Sequence, residues 1–285
     1  MKNVFVIGSE EAMPMKFLGI NLGQNEDGVI TLNQDDYTND IEQIVIENKS
    51  DKTRVLEREE KYLYRAAVGQ LNWLSSQSRP DLAFDICHLS TRLNDSTVRD
   101  VGYANRVVRK AKSQNQPLTF SKLNSPMNLL AFCDASYANL PDGSSQGGNI
   151  IFLTDKQENV SPISWSSRKL RRVCKSTEAA ETMAMLDAID TCVWLGTILE
   201  ELCSESIETT VIRTDNKSLY EAVHSTTAVE EKRLRVDLAA IRESIRKGEI
   251  KVEWIPKTKQ LADCLTKQGA DSKKLRDVLE KGNLQ

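Results

Sequence analysis

Four acidic residues stand at the edges of predicted secondary-structure elements, not in charged, solvent-exposed runs. They lie in the segments LLAFCD, STEAAE, TVIRTD and QLADCLTK, and they are Asp134, Glu178, Asp215 and Asp263. Carboxylates that a fold brings together repel one another unless cations neutralise them. Their oxygens suit Mg²⁺, and two divalent ions about 4 Å apart can activate water and stabilise the leaving oxygen in phosphodiester hydrolysis. The set predicts a site for two Mg²⁺ ions, with Mn²⁺ as a substitute, whose metal ligands are also the catalytic residues.

Each acid taken alone has a simpler structural explanation. An aspartate at the end of a strand is a common turn former, and Asp215 before Asn-Lys-Ser can cap the next helix. Glu178 can simply favour the positive end of a helix dipole. The four residues are dozens of positions apart in the sequence. Only a fold that brings their elements together can make them one site.

The elements after about residue 124 predict an α/β domain. MNLLAFCD, GGNIIFLT and PISWSS are typical of strands, and a long helical segment runs from about 177 to 202. A strand (TTVIRTD), two helices, a half-buried strand around Ile250–Trp254 and a short helical end follow. Strands and helices in this order predict a mixed five-stranded sheet flanked by helices.

The first 123 residues predict a different organisation. KFLGINLG and GVITLNQ flank Asp27-Gly28, which indicates a short β-hairpin. Three apolar-periodic segments then predict helices, with Arg79-Pro80-Asp81 breaking the first from the second. We therefore expect two domains, a mainly helical one over 1–123 and the α/β domain over 124–285.

Composition limits the classes of function. Net charge is −3, so no global positive field indicates a nucleic-acid partner, and only local patches could provide one. Six scattered cysteines without a C-x-x-C pair suggest free thiols in a reducing compartment, and two histidines make a zinc site unexpected. The N-terminus has no signal-peptide pattern and no run of about 18 apolar residues occurs, so we expect a soluble, intracellular chain without a membrane partner.

One basic segment, RKLRRVCK, immediately precedes the helix that contains Glu178. Its cations could bind backbone phosphates without reading base sequence, although charged runs are often only solvated loops. Together with Asn216, which follows Asp215, the predicted substrate-binding residues are Arg168, Lys169, Arg171, Arg172 and Lys175.

Four segments resemble the ribonuclease H domain of copia-type LTR retrotransposon Pol proteins. In order, they are AFCDASYAN, ISWSSRKLRRVCKSTEAAE, IRTDNKSL and VEWIPKTKQLADCLTK, and the likeness covers about residues 127–268. Upstream, KFLGINL with ITLNQDDY, and YRAAVGQLNWLSSQSRPDLAFDICHLS, look like the end of a reverse transcriptase palm followed by its thumb and connection region.

The resemblance implies a ribonuclease H-like fold and a metal-dependent endonuclease that hydrolyses the RNA strand of RNA/DNA hybrids. It implies that Asp134, Glu178, Asp215 and Asp263 are the metal-binding acids. The expected partners are an RNA/DNA hybrid and the reverse transcriptase palm and fingers supplied by upstream Pol sequence. The expected location is the cytoplasm, a virus-like particle or the nucleus. The alternative hypothesis is a non-catalytic remnant that only binds nucleic acid. A third hypothesis is a different nuclease on the same fold.

Two departures from the family pattern bear on these expectations. The family usually has Glu-Ala-Glu-Tyr after Ser-Thr, whereas this chain has Glu178-Ala179-Ala180-Glu181-Thr182, so the second acid is displaced by one position. The Tyr-x-Asp-Asp motif of a polymerase site does not occur in the sequence. We therefore expect no polymerase activity from this chain alone.

Overall fold

The computed structural model describes residues 12–203, 207–226, 229 and 231–285. The predicted hairpin is confirmed: β2 and β3 pair antiparallel, and Gly28 in the turn has a φ of 85°, which a glycine adopts without strain. The predicted strand segment KFLGINLG is divided into β1 and β2, and a short strand that the sequence does not predict, β4, completes an antiparallel sheet in the order β1-β2-β3-β4. The four strands are β1 (Met15–Phe17), β2 (Ile20–Gln24), β3 (Ile30–Asn33) and β4 (Leu118–Phe120).

Four helices form the rest of the N-terminal part and share one apolar core, which includes Tyr64, Leu71 and Val107. Capping boxes begin two of them, through Glu57 with Glu60 and through Thr97 with Asp100, so their first backbone N–H groups have partners. The helices are α1 (Asp35–Asp40), α2 (Arg58–Gln77), α3 (Ala83–Ser90) and α4 (Val98–Ser113).

The C-terminal part contains the predicted mixed five-stranded sheet. Its order is β7-β6-β5-β8-β9; β5, β8 and β9 are parallel to one another, and β6 is antiparallel to both of its neighbours. This arrangement confirms the ribonuclease H-like fold class. The strands are β5 (Asn128–Ser136), β6 (Gln146–Thr154), β7 (Val160–Lys169), β8 (Thr210–Thr214) and β9 (Lys251–Trp254).

Helices cover both faces of this sheet, which explains why β5 is apolar along almost its whole length. Leu129, Ala131 and Cys133 face a core built with the long helix α5 and with α6 and α7. Leu130 and Phe132 point to the opposite face, where residues of α8 and the N-terminal part cover them. The helices are α5 (Thr177–Cys203), α6 (Lys217–His224), α7 (Lys232–Arg246) and α8 (Lys273–Lys281).

The two parts of the chain pack directly against each other. Leu118 belongs to the same core as Leu130, and the Trp165 indole donates a hydrogen bond of 2.9 Å to the Ser75 carbonyl. The Thr119 hydroxyl also donates to the Glu280 carbonyl. β4 and α8 are therefore in contact across the boundary expected at residues 123 and 124, and that division into two domains stays a prediction.

By length and composition alone, α5 is long and apolar enough to cross a membrane. In the fold, its residues Ala184, Met185, Ala188 and Cys192 are buried, and the helix packs against β5 and β6. One face of α5 therefore packs on the sheet, whereas only 33% of its most apolar 18-residue stretch is buried. Trp194 is exposed on the outer side of α5.

Candidate active site

Three carboxylates from three separate elements converge at one end of the five-stranded sheet. Asp134 lies near the end of β5, Glu181 one turn into α5, and Asp215 directly after β8. One carboxylate oxygen from each residue lies within 4.8 Å of the other two. Because β5 and β8 are adjacent and parallel, the acids at their carboxyl ends meet at the same edge, and α5 crosses that edge.

The glutamate in this group is Glu181. The predicted Glu178 lies outside the group, and its role as a catalytic metal ligand stays a prediction. Both lie on α5, but three residues along a helix separate them by roughly 4.5 Å along its axis. Glu181 is 5% exposed and lies one turn before the buried residues Ala184 and Met185, so it points towards the sheet. Glu178 is half-buried in the first turn and is outside the group. The helical spacing from Ala184 and Met185 is the sequence signal that could have identified Glu181.

Asp263, the fourth predicted acid, lies close to Asp134 but is bridged to it by a lysine. The Lys267 ammonium contacts Asp263 Oδ1 and lies 3.4 Å from Asp134 Oδ2. The Thr266 hydroxyl donates to the same Asp134 oxygen. The structure therefore places all three predicted aspartates in one neighbourhood and adds Thr266 and Lys267, which the sequence analysis did not select.

A 3-10 turn over Asp263–Leu265 holds Asp263 in place. Several hydrogen bonds tie this turn and the residues around it to the sheet: Ser167 Oγ donates to the Leu265 carbonyl at 2.6 Å, and Asn139 Nδ2 donates to the Thr266 carbonyl at 3.0 Å. Beneath the turn, β6 has Gly148 directly opposite Asp134. A Cβ at Gly148 would lie 2.7 Å from Leu265 Cβ and 3.1 Å from the Leu265 carbonyl oxygen, so only glycine lets the turn approach this closely.

Replacing Gly148 by alanine should therefore displace the turn that contains Asp263. We expect a loss of about 1–3 kcal/mol in the free energy of unfolding, as for overpacked cores, together with weaker binding of divalent ions. Urea denaturation and Mn²⁺ titration measure the two effects. Gly102→Ala is the matched control, since nothing lies within 4 Å of its added Cβ and the helical site favours alanine. A Gly148→Ala protein as stable as the wild type would contradict the close approach.

Burial and mutual repulsion shift the proton affinities of the cluster. Burial, followed by the charges of Asp134 and Asp215, raises the pKa of Glu181 to about 9. Burial also raises the pKa of Asp134 to about 6, against the lowering effects of Lys267 and Thr266. Glu181 Oε2 is buried and has no hydrogen-bond partner. An unpartnered, buried carboxylate oxygen beside two further carboxylates fits a divalent cation, which would supply the missing charge and ligand contact.

The metal-free protein should lose stability as the pH rises from about 5 to about 9, because the folded chain holds the Glu181 proton more tightly than the unfolded chain does. Protonation of Glu181 stabilises the fold fully below the ordinary carboxyl pKa of 4.5, and this contribution is lost as pH approaches the folded value. Thermal denaturation in EDTA across this range measures the effect. Glu181→Gln, neutral at every pH, should flatten the profile; a wild-type Tm that rises with pH would contradict the assignment.

The predicted substrate-binding cations lie beside the cluster, where β7 ends. Ser167 is aligned across β6 with Gly148 and Asp134, so Arg168 begins about two strand spacings, roughly 10 Å, from Asp134. Several of the cations already have acidic partners. Arg168 pairs with Asp187, Lys169 with Asp142, and Arg172 with Asp237. These pairs are partly exposed, so a phosphate could compete for the cations, but they reduce the free positive charge of the segment.

The remaining predicted substrate-binding residues have mixed positions. Arg171 lines a groove with Arg168, Lys169 and Arg172 against α5, and Lys175 is exposed. The Asn216 side chain caps α6 by accepting a hydrogen bond of 3.0 Å from the Leu219 amide. Their contact with a substrate stays a prediction. Trp254, at the end of β9, is 45% exposed. Its indole donates to the Asp215 carbonyl at 3.1 Å and so supports the site.

The fold and the acidic cluster together define a ribonuclease H-like domain joined to a helical, hairpin-bearing part. Retrovirus-related Pol polyproteins from the Arabidopsis thaliana transposons RE1 and RE2 are 29% and 30% identical to the chain over 206 residues. That alignment covers 72% of this chain but only 14% of either polyprotein. No family model matches the sequence. This similarity confirms the predicted resemblance to copia-type retrotransposon Pol proteins.

Two solved structures are similar at low sequence identity. LC11-RNase H1 in complex with an RNA/DNA hybrid is 18% identical, with 49% of this chain and 94% of that chain covered and a TM-score of 0.37. The foamy viral protease-reverse transcriptase in complex with an RNA/DNA hybrid is 11% identical, with 90% of this chain and 30% of that chain covered and a TM-score of 0.44.

Proposed function

We propose that the chain is a metal-dependent endonuclease that hydrolyses the RNA strand of RNA/DNA hybrids, as the ribonuclease H part of a retrotransposon reverse transcriptase. The observation that carries the proposal is the convergence of Asp134, Glu181 and Asp215, with the Glu181 Oε2 atom buried and unpartnered. A cluster of this kind is unfavourable without cations, so its persistence inside a folded domain favours a metal-binding role.

The proposed site holds two divalent ions, Mg²⁺ or Mn²⁺. The ligands of one ion are Asp134, Glu181 and Asp215, and the ligands of the other are Asp134 and Asp263. Divalent ions, when bound, lower the pKa of water and neutralise charge on phosphodiester oxygens. The chain's own contribution is to keep the carboxylates together: Thr266 orients Asp134, Trp254 supports the Asp215 backbone, and α5 holds Glu181 against the sheet edge.

The basic residues at the end of β7 and on the following loop are the proposed substrate contacts. Phosphate contacts supply affinity that is independent of base sequence, which suits an enzyme that recognises a hybrid by its shape and by the 2′-hydroxyls of the RNA strand. Palm and fingers supplied by upstream Pol sequence are the proposed partners, since polymerisation is not expected of this chain.

Incubating the purified chain with end-labelled RNA/DNA hybrid, double-stranded RNA, duplex DNA and single strands tests the proposal. We expect Mg²⁺-dependent cleavage of the RNA in the hybrid alone, and no cleavage in EDTA. Asp215→Asn should be inactive, whereas Asp142→Asn, an exposed partner of Lys169, should keep its activity. Preferential cleavage of duplex DNA would identify a different nuclease on this fold. Tight hybrid binding without cleavage at any Mg²⁺ or Mn²⁺ concentration would favour the non-catalytic alternative.

A further inference from the structure

A lysine side chain lies between two of the carboxylates of the site. The Lys267 ammonium contacts Asp263 Oδ1 and is 3.4 Å from Asp134 Oδ2. It is therefore a positive charge held between the two acids that the proposed function assigns to one divalent ion.

This arrangement differs from an ordinary surface ion pair. Lys273 with Asp277 is also a lysine–aspartate pair at i,i+4, but both side chains are largely exposed, at 67% and 44%. By contrast, the Asp134 side chain beside Lys267 is only 2% exposed, and that of Lys267 is 36% exposed. A counter-charge next to a buried carboxylate is weakly screened by water, so its presence changes the affinity of that carboxylate for any other cation.

In the described part of the chain no lysine forms an ion pair with Glu181 or Asp215, and Lys267 reaches this cluster only at Asp134. Glu181 Oε2 is unpartnered, whereas both the Thr266 hydroxyl and the Lys267 ammonium approach Asp134 at its Oδ2 atom. Two regions around Asp134 are thus unequal. One is acidic and contains an unpartnered oxygen, and the other already contains a cation.

We propose that Lys267 is a tethered competitor for the divalent ion that binds between Asp134 and Asp263. The inference rests on the proposed metal-binding function and goes further by assigning an order of loading. The Asp134–Glu181–Asp215 group takes an ion without moving Lys267, and the Asp134–Asp263 pair takes one only when the ammonium swings away on its flexible four-carbon stem. The two sites therefore have unequal affinities, and Lys267 stabilises the metal-free site against its own repulsion.

Calorimetric and electron paramagnetic resonance titrations with Mn²⁺ at a fixed neutral pH, without nucleic acid, test this order. For Lys267→Met we expect the Kd of the weaker site to fall by about tenfold or more, because two unit charges about 4 Å apart near a protein surface interact by more than one decade of affinity. Lys267→Arg, which keeps the charge, should bind like the wild type. Lys273→Met is the matched control and should leave Mn²⁺ binding unchanged.

Thermal denaturation provides a second readout that does not depend on activity. Without metal, Lys267→Met should have a lower Tm than the wild type, and Mn²⁺ should raise its Tm by more than it raises that of the wild type. If Lys267→Met does not fold, Lys267→Gln keeps a hydrogen-bond donor without the charge and serves the same titration.

The outcomes separate this inference from the proposed function. Unchanged Mn²⁺ affinity in both charge-removing variants would overturn the competitor role and leave a structural ion pair. Tighter Mn²⁺ binding in a chain that does not cleave hybrid would uphold it while the ribonuclease proposal fails. If neither the wild type nor the variants bind Mn²⁺, both proposals are wrong.

Discussion

Glu181→Gln should reduce hybrid cleavage by about a thousandfold or more, since ligand-bound divalent ions supply several kcal/mol of transition-state stabilisation and each 1.36 kcal/mol is a factor of ten. Glu178→Gln should stay within about twofold of the wild-type rate, because Glu178 lies outside the carboxylate group and its substitution leaves the proposed ligands in place. The two variants make the same chemical change one turn apart on α5. Single-turnover cleavage of a labelled hybrid at saturating Mg²⁺ measures both.

Stability should respond in the opposite sense from activity. Glu181 is 5% exposed, and burial raises its pKa to about 9, so at neutral pH folding must place a proton on it; the neutral amide removes this cost from the metal-free protein. We expect a higher Tm for Glu181→Gln in EDTA and a smaller stabilisation by Mn²⁺. If Glu178→Gln is inactive and Glu181→Gln is active, Glu178 in the first turn of α5 is the metal ligand and the assignment of Glu181 is wrong.

Sequence patterns predict α5, but they do not decide which of these two glutamates faces the sheet. Segment order and continuous apolar runs predict the centre of the five-stranded sheet, because β5 and β6 are buried on both faces and their residues are therefore apolar along almost the whole strand. Which residue of a helical turn meets the sheet edge depends on the rotation of α5 about its axis. That rotation is set by packing of Ala184 and Met185 against the sheet. A motif match alone does not contain this information.

The roles of Lys267 and Gly148 at the site could not be predicted from the sequence for a different reason. Each acts through a contact between segments more than a hundred residues apart, Lys267 with Asp134 and Gly148 with Leu265. A lysine four residues after Asp263 is an ordinary helical or loop pair when read locally, and a glycine in a strand often marks only a close approach of unknown origin. The strand β4 was also missed, because three residues after Pro117 are too short for an alternation pattern to be recognised.

The second prediction with a large effect concerns the buried ion pair beneath the site. Arg79 and Asp81 flank Pro80 and are almost fully buried, at 2% and 1% exposure, and their side chains form two hydrogen bonds of 2.8 Å. The third contact of Arg79 is a hydrogen bond of 2.9 Å to the Ala111 carbonyl, near the end of α4. The guanidinium thus joins the break between α2 and α3 to the next helix.

Asp81→Ala should lower the free energy of unfolding by about 3–5 kcal/mol, because it leaves a buried guanidinium without its counter-charge. The double variant Arg79→Met/Asp81→Leu should recover part of this loss, since it removes both charges, but it also leaves the Ala111 carbonyl without its donor. Asp36→Ala, at an exposed pair with Lys16, is the control and should be close to neutral. Urea denaturation measures all three.

The effect should extend to the site, because the Pro80–Leu82 turn packs against the Asp263–Leu265 turn. For Asp81→Ala, the affinity for Mn²⁺ should fall by more than the decrease in the folded fraction explains. The double variant should regain Mn²⁺ affinity together with stability. If Asp81→Ala is strongly destabilised yet binds Mn²⁺ with wild-type affinity once folded, the helical part supports the fold of the chain without positioning Asp263.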